Sequence, residues 1–370
     1  MGECPIMKEF IRPISNQIHT PDGLDFQPDE ILYFDIETTG FSADKSILYL
    51  IGCIYYENGE YYSKQLFVDE PAFEMEVLAT FMDFISKFKA LVHYNGNGFD
   101  IPYLKQKCTQ YNITHNLDAI YSFDIYKILC GYKNLFKTLD MKQKTMEKFI
   151  KLNREDKYNG GELIKIYQDY CHKPTDEKLR LLLLHNHNDL TGLISILPLL
   201  NYEVLKTGRF KVNEALTNLS ASSYSGNKKE LIINLSTEKP IPVRVSIGNE
   251  NYYLTAYQNL VKLCVNIYSD ELKFFYPNYK DYYYLPEEDR SIHKSVAFYV
   301  DKNFRTKAKA ANCYSKKTGT FLPQYEEIIT PFFKIDYHDK ISYFECTEDF
   351  LKNTDQIYTY ANHILQILLK

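Results

Sequence analysis

The sequence predicts an α/β protein: a mixed sheet with helices on its faces, followed by a second, smaller α+β domain. Three observations predict it. Apolar runs of strand length alternate with amphipathic stretches of helical period over residues 31–200. After Lys206 the texture changes: residues 228–284 are strand-rich and aromatic, and helical segments follow near 286–311 and 347–369. A chain of 370 residues with 45% apolar residues also suits two domains, each burying a core.

The elements follow in order. Residues 1–30 read as a leader with turn signals at Pro21-Asp22-Gly23 and Pro28-Asp29. The apolar run Ile31 to Ile36 reads as a buried strand. Strands over Ile47 to Tyr56 and Tyr61 to Val68 are joined at Glu57-Asn58-Gly59-Glu60, where Asn-Gly is a strong hairpin signal. Over 71–89, Phe73, Val77, Phe81, Phe84, Ile85 and Phe88 fall mostly at helical spacing, with Pro71 near the start. Ala90 to Tyr94 is a short strand, a helix runs from about Pro102 to Tyr111, and Ala119 to Tyr126 is another short strand. Residues 127–180 are helical and polar, broken at Gly131, Asn159-Gly160-Gly161 and Pro174. A last strong helix spans about Thr175 to Leu200, closing a domain at 31–205. The polar, Ser- and Asn-rich stretch near 205–225 marks a boundary, and 225–370 forms the second domain, with turn signals at Glu238-Lys239-Pro240 and Gly248-Asn249-Glu250-Asn251.

Composition narrows the function classes. The formal net charge of −5 argues against tight, sequence-indifferent coating of duplex nucleic acid. It leaves room for an acidic metal site neutralised by its cations, and for a local basic patch. The eight cysteines include no C-x-x-C pair, so neither a zinc ribbon nor a thioredoxin-like site is indicated. The first 30 residues lack the apolar core of a signal peptide, and no run reaches the length of a membrane span. The expectation is a cytoplasmic protein with reduced thiols and no membrane association.

Three groups of residues carry chemistry. Asp35 and Glu37 lie two apart at the end of a strand, so their side chains share a face. Two adjacent carboxylates repel, and a stable pair needs a cation or a shared proton. Asp100 follows a glycine-bearing loop, Asn95-Gly96-Asn97-Gly98, and precedes a helix with Pro102 in its first turn. Both an N-cap and a metal-directed carboxylate fit that place. His185-Asn186-His187-Asn188-Asp189 interrupts an otherwise apolar helix, with His185 and Asp189 one turn apart on one face.

Together, in this order, the three groups resemble the motifs of the DEDD 3′→5′ exonuclease superfamily, which has a ribonuclease-H-like fold. Phe34-Asp35-Ile36-Glu37-Thr38-Thr39-Gly40 is similar to its first motif. Tyr94-Asn95 with Phe99-Asp100 and Pro102-Tyr103-Leu104 is similar to the second, in the form found in family B polymerase proofreading domains. His185-Asn186 with Asp189 is similar to the third. A closer likeness, which includes Ser122-Phe123-Asp124-Ile125-Tyr126, is to YprB-type ribonuclease-H-like proteins. The resemblance covers about residues 31–200. One departure concerns the third motif: the superfamily carries Tyr four residues before its Asp or His five before, and here His185 stands four before Asp189.

The resemblance implies a nuclease with two Mg²⁺ or Mn²⁺ ions, roughly 3.5–4 Å apart, acting on DNA or RNA. Oxygen-rich donors suit these ions better than zinc. By that resemblance Asp35 would bridge both ions, Glu37 and Asp189 would hold the ion that activates water, and Asp100 would hold the other, directly or through water. His185 is then either the general base or the residue that positions the water. Thr38, Thr39 and Phe41 are placed to contact a terminal nucleotide, most naturally a single-stranded 3′ end; turn chemistry is the alternative for the threonines. Asn95 supports the site or closes a turn, and Asp124 reads as an N-cap. In the second domain, Leu272 to Tyr276 is either a stacking surface or sheet core. His293 to Lys302, with Arg305, Lys307 and Lys309, is the densest basic stretch and reads as phosphate contacts or as a solvated helix face. A structure-specific endonuclease and a catalytically silent nucleic-acid-binding protein are the competing functional readings.

Overall fold

The computed structural model describes residues 7–15, 18–21, 23–154, 158–222 and 226–370, with the side chains of 218–228 excepted. Parts of the expected leader (1–6, 16, 17 and 22) and of the expected boundary (223–225) lie outside the described residues. The chain divides into two compact units, Met1–Tyr202 and Glu203–Lys370.

The first unit is built on a six-stranded mixed sheet. Its strands are β1 (Lys8–Ile14), β2 (Ile31–Thr38), β3 (Leu48–Glu57), β4 (Glu60–Phe67), β5 (Ala90–His93) and β6 (Tyr121–Asp124). They lie in the order β1-β4-β3-β2-β5-β6. The four strands from β1 to β2 pair antiparallel, and β2-β5 and β5-β6 pair parallel. Ile31 to Phe34 are all buried, as expected of a strand covered on both faces. The β3–β4 hairpin turns at Asn58-Gly59, both at positive φ, which is the conformation that the Asn-Gly pair supplies. The strand Lys8–Ile14 falls within the segment read as a leader; it adds to the sheet edge along β4. Lys8 anchors it, with an ion pair to Asp69 at 2.7 Å.

The helices of this unit are α1 (Glu74–Ile85), α2 (Asp100–Tyr111), α3 (Ile125–Cys130), α4 (Lys133–Phe136), α5 (Gln143–Phe149), α6 (Gly160–His172) and α7 (Asp176–Ser195). Helix α1 buries Val77, Leu78, Phe81, Met82 and Ile85, one apolar stripe at helical spacing. Helix α6 starts with a capping box between Asn159 and Glu162, which is why the Gly160-Gly161 pair sits at its mouth and not in its interior. A buried ion pair joins α1 and α2: Lys107 Nζ lies 2.8 Å from Glu74. The Leu48 amide and the Tyr111 hydroxyl both donate to the same carboxylate at 2.6 Å.

The second unit is β-rich. It contains α8 (Glu203–Lys206) and the strands β7 (Phe210–Ser222), β8 (Gly226–Gly248), β9 (Tyr252–Asn266), β10 (Tyr268–Phe275), β11 (Tyr282–Leu285) and β12 (Arg290–His293). A single turn of helix, α9 (Lys294–Ala297), comes next, followed by β13 (Thr306–Lys307), β14 (Tyr314–Gln324), β15 (Phe332–Phe333), β16 (Ser342–Glu345), α10 (Glu348–Lys352) and α11 (Thr354–Leu368). Three antiparallel sheets result: β7-β8-β9, β10-β14-β16-β15 and β12-β11-β13. Alternate residues Leu231, Ile233 and Leu235 of β8 are buried, and α11 buries Ile357, Tyr360, Ala361, Ile364 and Leu365. Two expectations are corrected. Residues 286–311 hold one helical turn and short 3-10 segments between strands, not a helix, because the chain is recruited into a small sheet on both sides of α9. Glu238-Lys239-Pro240 does not turn the chain; β8 runs through it with a register shift between Ser236 and Ile241, where a proline is tolerated. None of the described cysteines forms a disulfide. No described helix is long and apolar enough to cross a membrane.

The Glu74–Lys107 pair makes a direct prediction for the fold. Glu74→Ala leaves an ammonium buried without its carboxylate, which should cost about 3–5 kcal/mol. Urea denaturation measures this, and a loss well under 1 kcal/mol would show that the pair is not a fixed element.

Candidate metal centre

Period 2 along β2 sends Leu32, Phe34 and Ile36 to one face of the sheet and Tyr33, Asp35 and Glu37 to the other. The first face is apolar; the Phe34 ring meets Phe81 of α1 at 6.1 Å between centroids. Over the second face lies α7. Asn186 is fully buried there, and its amide Nδ2 donates to Asp35 Oδ2 at 3.0 Å. Its oxygen accepts from Gln65 Nε2 at 2.9 Å, and the same Gln65 nitrogen donates to the Leu183 carbonyl. Gly52 makes this possible. It pairs opposite Asp35 on β3, and a Cβ on it would stand 1.9 Å from the Asn186 amide oxygen.

His185 and Asp189 leave α7 one turn apart, and His185 Nε2 lies 3.2 Å from Asp189 Oδ2 and 3.7 Å from Glu37 Oε1. Glu37, His185 and Asp189 thus offer ligand atoms that all lie within 4.8 Å of one another. The Tyr49 hydroxyl donates to Glu37 at 3.4 Å from the neighbouring strand. Asp100 reaches the same region from α2. It is the first residue of that helix, after Phe99 at the cap, so the N-cap alternative is set aside. Its carboxylate accepts instead from the Ile36 amide at 3.3 Å, between Asp35 and Glu37 on β2.

Among the described residues, Asp35 and Asp100 stand beside the trio of Glu37, His185 and Asp189 and are not part of it. Burial pushes Asp35 well above the usual carboxylate range, and Asp189, Glu37 and Asp100 push it further; the Asn186 amide opposes them. Burial does the same to Glu37, reinforced by Asp189 and Asp100 and opposed by the Tyr49 hydroxyl and Lys144. Asp100 is pushed up to about 7 by burial, against hydrogen bonds from backbone amides and with a contribution from Asp124. Carboxylates whose ionisation is opposed by burial and by acidic neighbours are poised for a cation. The donor set of carboxylate oxygens and one imidazole fits Mg²⁺ or Mn²⁺.

The neighbourhood holds residues that the sequence reading passed over. Arg154 donates to Asp189 Oδ1, and Oδ2 of that carboxylate lies beside His185. The guanidinium is anchored by two contacts to Glu147 of α5, which is buried. Glu147 packs where Gly192 of α7 lacks a side chain; a Cβ there would lie 2.0 Å from its Oε1. Gln143 ties α5 to α7, donating to Glu147 and to the Asp189 carbonyl at 2.7 Å. A glycine inside an apolar helix was the visible signal for this close approach. Asp124, read as an N-cap, makes no side-chain cap. It accepts from the Asn95 amide at 2.9 Å and lies 3.9 Å from the buried His93, whose imidazole is driven down to about 4 by burial.

The expected substrate contacts divide. The Thr38 hydroxyl donates to the Gly40 carbonyl at 2.8 Å and the Thr39 hydroxyl accepts from the Ile47 amide at 2.8 Å, so both work within the turn. Phe41 projects into solvent, 93% exposed, with its ring edge-on to Phe99 at 5.9 Å. Asn95 sits at φ +63°, a left-handed turn position that asparagine tolerates, and accepts from the Gly98 amide.

Residues 32–201 match the family model described as the RNase H superfamily. The first unit has an RNase H-like fold. Among solved structures, the chain is similar to the family B DNA polymerase of Pyrobaculum calidifontis, at 16% identity over 68% of this chain with a TM-score of 0.35. It is also similar to exonuclease I in its apo form, at 12% identity over 62% of this chain with a TM-score of 0.32. The E. coli exonuclease I complex with a dT13 oligonucleotide matches at 12% identity over 61% of this chain, with a TM-score of 0.28. The chain spans 35% of the polymerase and 57% and 54% of the two exonuclease I chains. No curated protein matches the sequence significantly.

A pH dependence follows. Because Asp100 is held above its ordinary value of 3.8, the stability that its protonated form supports is lost as pH rises from about 4 through about 7. Asp100→Asn keeps an oxygen for the Ile36 amide and removes the titration. In EDTA, the variant should gain stability on wild type across that window, as read by urea denaturation at a series of pH values. Parallel pH profiles would contradict the assignment.

Proposed function

We propose that the protein is a metal-dependent nuclease acting as a 3′→5′ exonuclease on DNA or RNA, with the site built from Asp35, Glu37, Asp100, His185 and Asp189. The observation that carries this is the cluster of Glu37, His185 and Asp189, whose ligand atoms lie within 4.8 Å of one another, beside Asp35, whose carboxyl is driven up by burial and by Asp189, Glu37 and Asp100. When bound, two divalent ions supply an activated water and relief of the charge that develops on a phosphodiester under attack. Asp35, Glu37, Asp100 and Asp189 are the residues that would hold them. Asn186 fixes the rotamer of Asp35, and the Ile36 amide fixes that of Asp100. Arg154 occupies one oxygen of Asp189 and so orients the other toward His185.

His185 is set to receive or orient a proton. Its Nε2 faces Asp189 and Glu37, and burial on α7 keeps bulk water from competing. Phe41 offers an exposed ring for stacking on a terminal base, whereas Thr38 and Thr39 shape the turn that presents it. Asn95 supports the site through Asp124. Ser122-Phe123-Asp124-Ile125-Tyr126 beside the three motifs supports a kinship with YprB-type ribonuclease-H-like proteins.

The test is hydrolysis of end-labelled single-stranded DNA and RNA with Mg²⁺, Mn²⁺ or EDTA. Wild type should release mononucleotides from the 3′ end, and Asp35→Ala and Asp189→Ala should each lose at least about a hundredfold in rate. Activity that survives EDTA or both substitutions would sink the proposal, and cutting of a circular substrate would turn it to an endonuclease. His185→Tyr retains activity if the residue positions water, and loses it as fully as Asp35→Ala if it is the base.

A further inference from the structure

In the second unit, residues 294–309 carry an unusual surface. The chain leaves β12, makes the single turn α9, crosses a 3-10 turn at Lys302–Phe304 and returns as β13. Both ends are fixed to one sheet: β12 and β13 pair with the two sides of β11. The excursion is closed across its base, where Arg305 donates to the Ala297 carbonyl and lies 4.9 Å from the centroid of the Tyr283 ring. It is therefore a held projection.

What it projects is apolar and basic at once. Phe298 is 76% exposed and Tyr299 86%, their rings edge to face at 5.5 Å. Val296 and Phe304 are also more than half exposed. Clustered large apolar side chains in solvent mark a binding surface more often than isolated ones do. Around them stand Lys294, Lys302, Arg305, Lys307 and Lys309, against a single acidic residue, Asp301, whose carboxylate is used to cap Asn303. Lys294 pairs with Asp281 at 2.7 Å, while among the described residues Lys302, Lys307 and Lys309 have no ion-pair partner. The whole chain carries a formal charge of −5, so this positive excess is a local feature. A solvated helix face, the bland reading of this stretch, is removed by the absence of a helix beyond one turn.

We propose that residues 294–309 are a docking surface for single-stranded nucleic acid, with Phe298 and Tyr299 as stacking rings and Lys302, Lys307 and Lys309 as phosphate contacts. The choice of polyanion rests on the nuclease reading of the first unit. Exposed aromatic rings next to unpaired lysines match a strand whose bases are free to stack and whose phosphates need counter-charge. A duplex hides its base faces and would leave the rings unused.

The experiment is fluorescence anisotropy of a labelled 20-mer oligo-dT and of a duplex of the same length, with the full chain in EDTA over a series of salt concentrations. The rings and lysines should fail differently. Phe298→Ala/Tyr299→Ala should weaken single-strand binding by about fivefold or more while leaving the salt slope unchanged. Lys302→Ala/Lys307→Ala should reduce that slope by roughly 0.7 per lysine. Both pairs are on the surface, so thermal unfolding should match wild type. Variants that bind as wild type does would overturn the docking surface. So would a ring variant that changes only a monomer–dimer equilibrium, read by sedimentation, since that marks a self-association face. Cleavage by Mn²⁺-loaded wild type beside unchanged binding in the variants leaves the nuclease reading standing alone. A wild type that neither binds nor cleaves overturns both.

Discussion

Carboxylates brought together from β2, α2 and α7 are the constraint on which the rest of the first unit depends. Asp35 and Glu37 are driven above the ordinary range by burial and by their acidic neighbours, and Asp100 by burial. The fold meets this with fixed donors: the Asn186 amide on Asp35, the Ile36 amide on Asp100, the Tyr49 hydroxyl on Glu37 and the Arg154 guanidinium on Asp189. The neutral donors satisfy one oxygen each and leave the charge in place, while the Arg154 guanidinium, shared with Glu147, also offsets charge on Asp189. A divalent cation is the species that completes such a balance.

The sheet order makes the convergence possible. Placing β2 between antiparallel β3 and parallel β5 puts the Asp35 face under α7 and brings the loop after β5 to the same end, from which α2 delivers Asp100. Two glycines then permit close approach, Gly52 between the sheet and α7 and Gly192 between α7 and α5. Gly52 vacates the position that Asn186 fills, and Gly192 vacates the position that Glu147 fills. Glu147 in turn holds Arg154, so a contact at the surface of α7 reaches back to the carboxylate cluster through one buried acid. In this arrangement side chains far apart in sequence, from 35 to 189, become one electrostatic unit.

Much of this was legible in the sequence, for definable reasons. Asp35 and Glu37 follow from period 2 and His185 with Asp189 from the helical turn, because both periodicities are local. The Asn58-Gly59 hairpin is local too. Asn186 was visible as part of the third motif but its bond to Asp35 was not, and Glu147 and Arg154 were not legible, since their partners lie on other elements and nothing in their own neighbourhoods demands them. Asp100 and Asp124 looked alike as strand-to-helix acids; only tertiary contacts separate one that binds the Ile36 amide from one that binds the Asn95 amide. The edge strand over residues 8–14 was missed because its stability comes from pairing with β4 and from the Lys8–Asp69 contact. At 286–311 a helix-like pattern yields to sheet pairing on both sides, which tertiary context regularly imposes on weak propensity.

Whether the carboxylate cluster takes divalent cations is decided by anomalous scattering from crystals grown with Mn²⁺. The expected result is two anomalous peaks within the cluster, one at Asp35, Glu37 and Asp189 and the other at Asp35 and Asp100. Density confined to other acidic surfaces, with Asp35 and Asp189 still held only by Asn186 and Arg154, would contradict it.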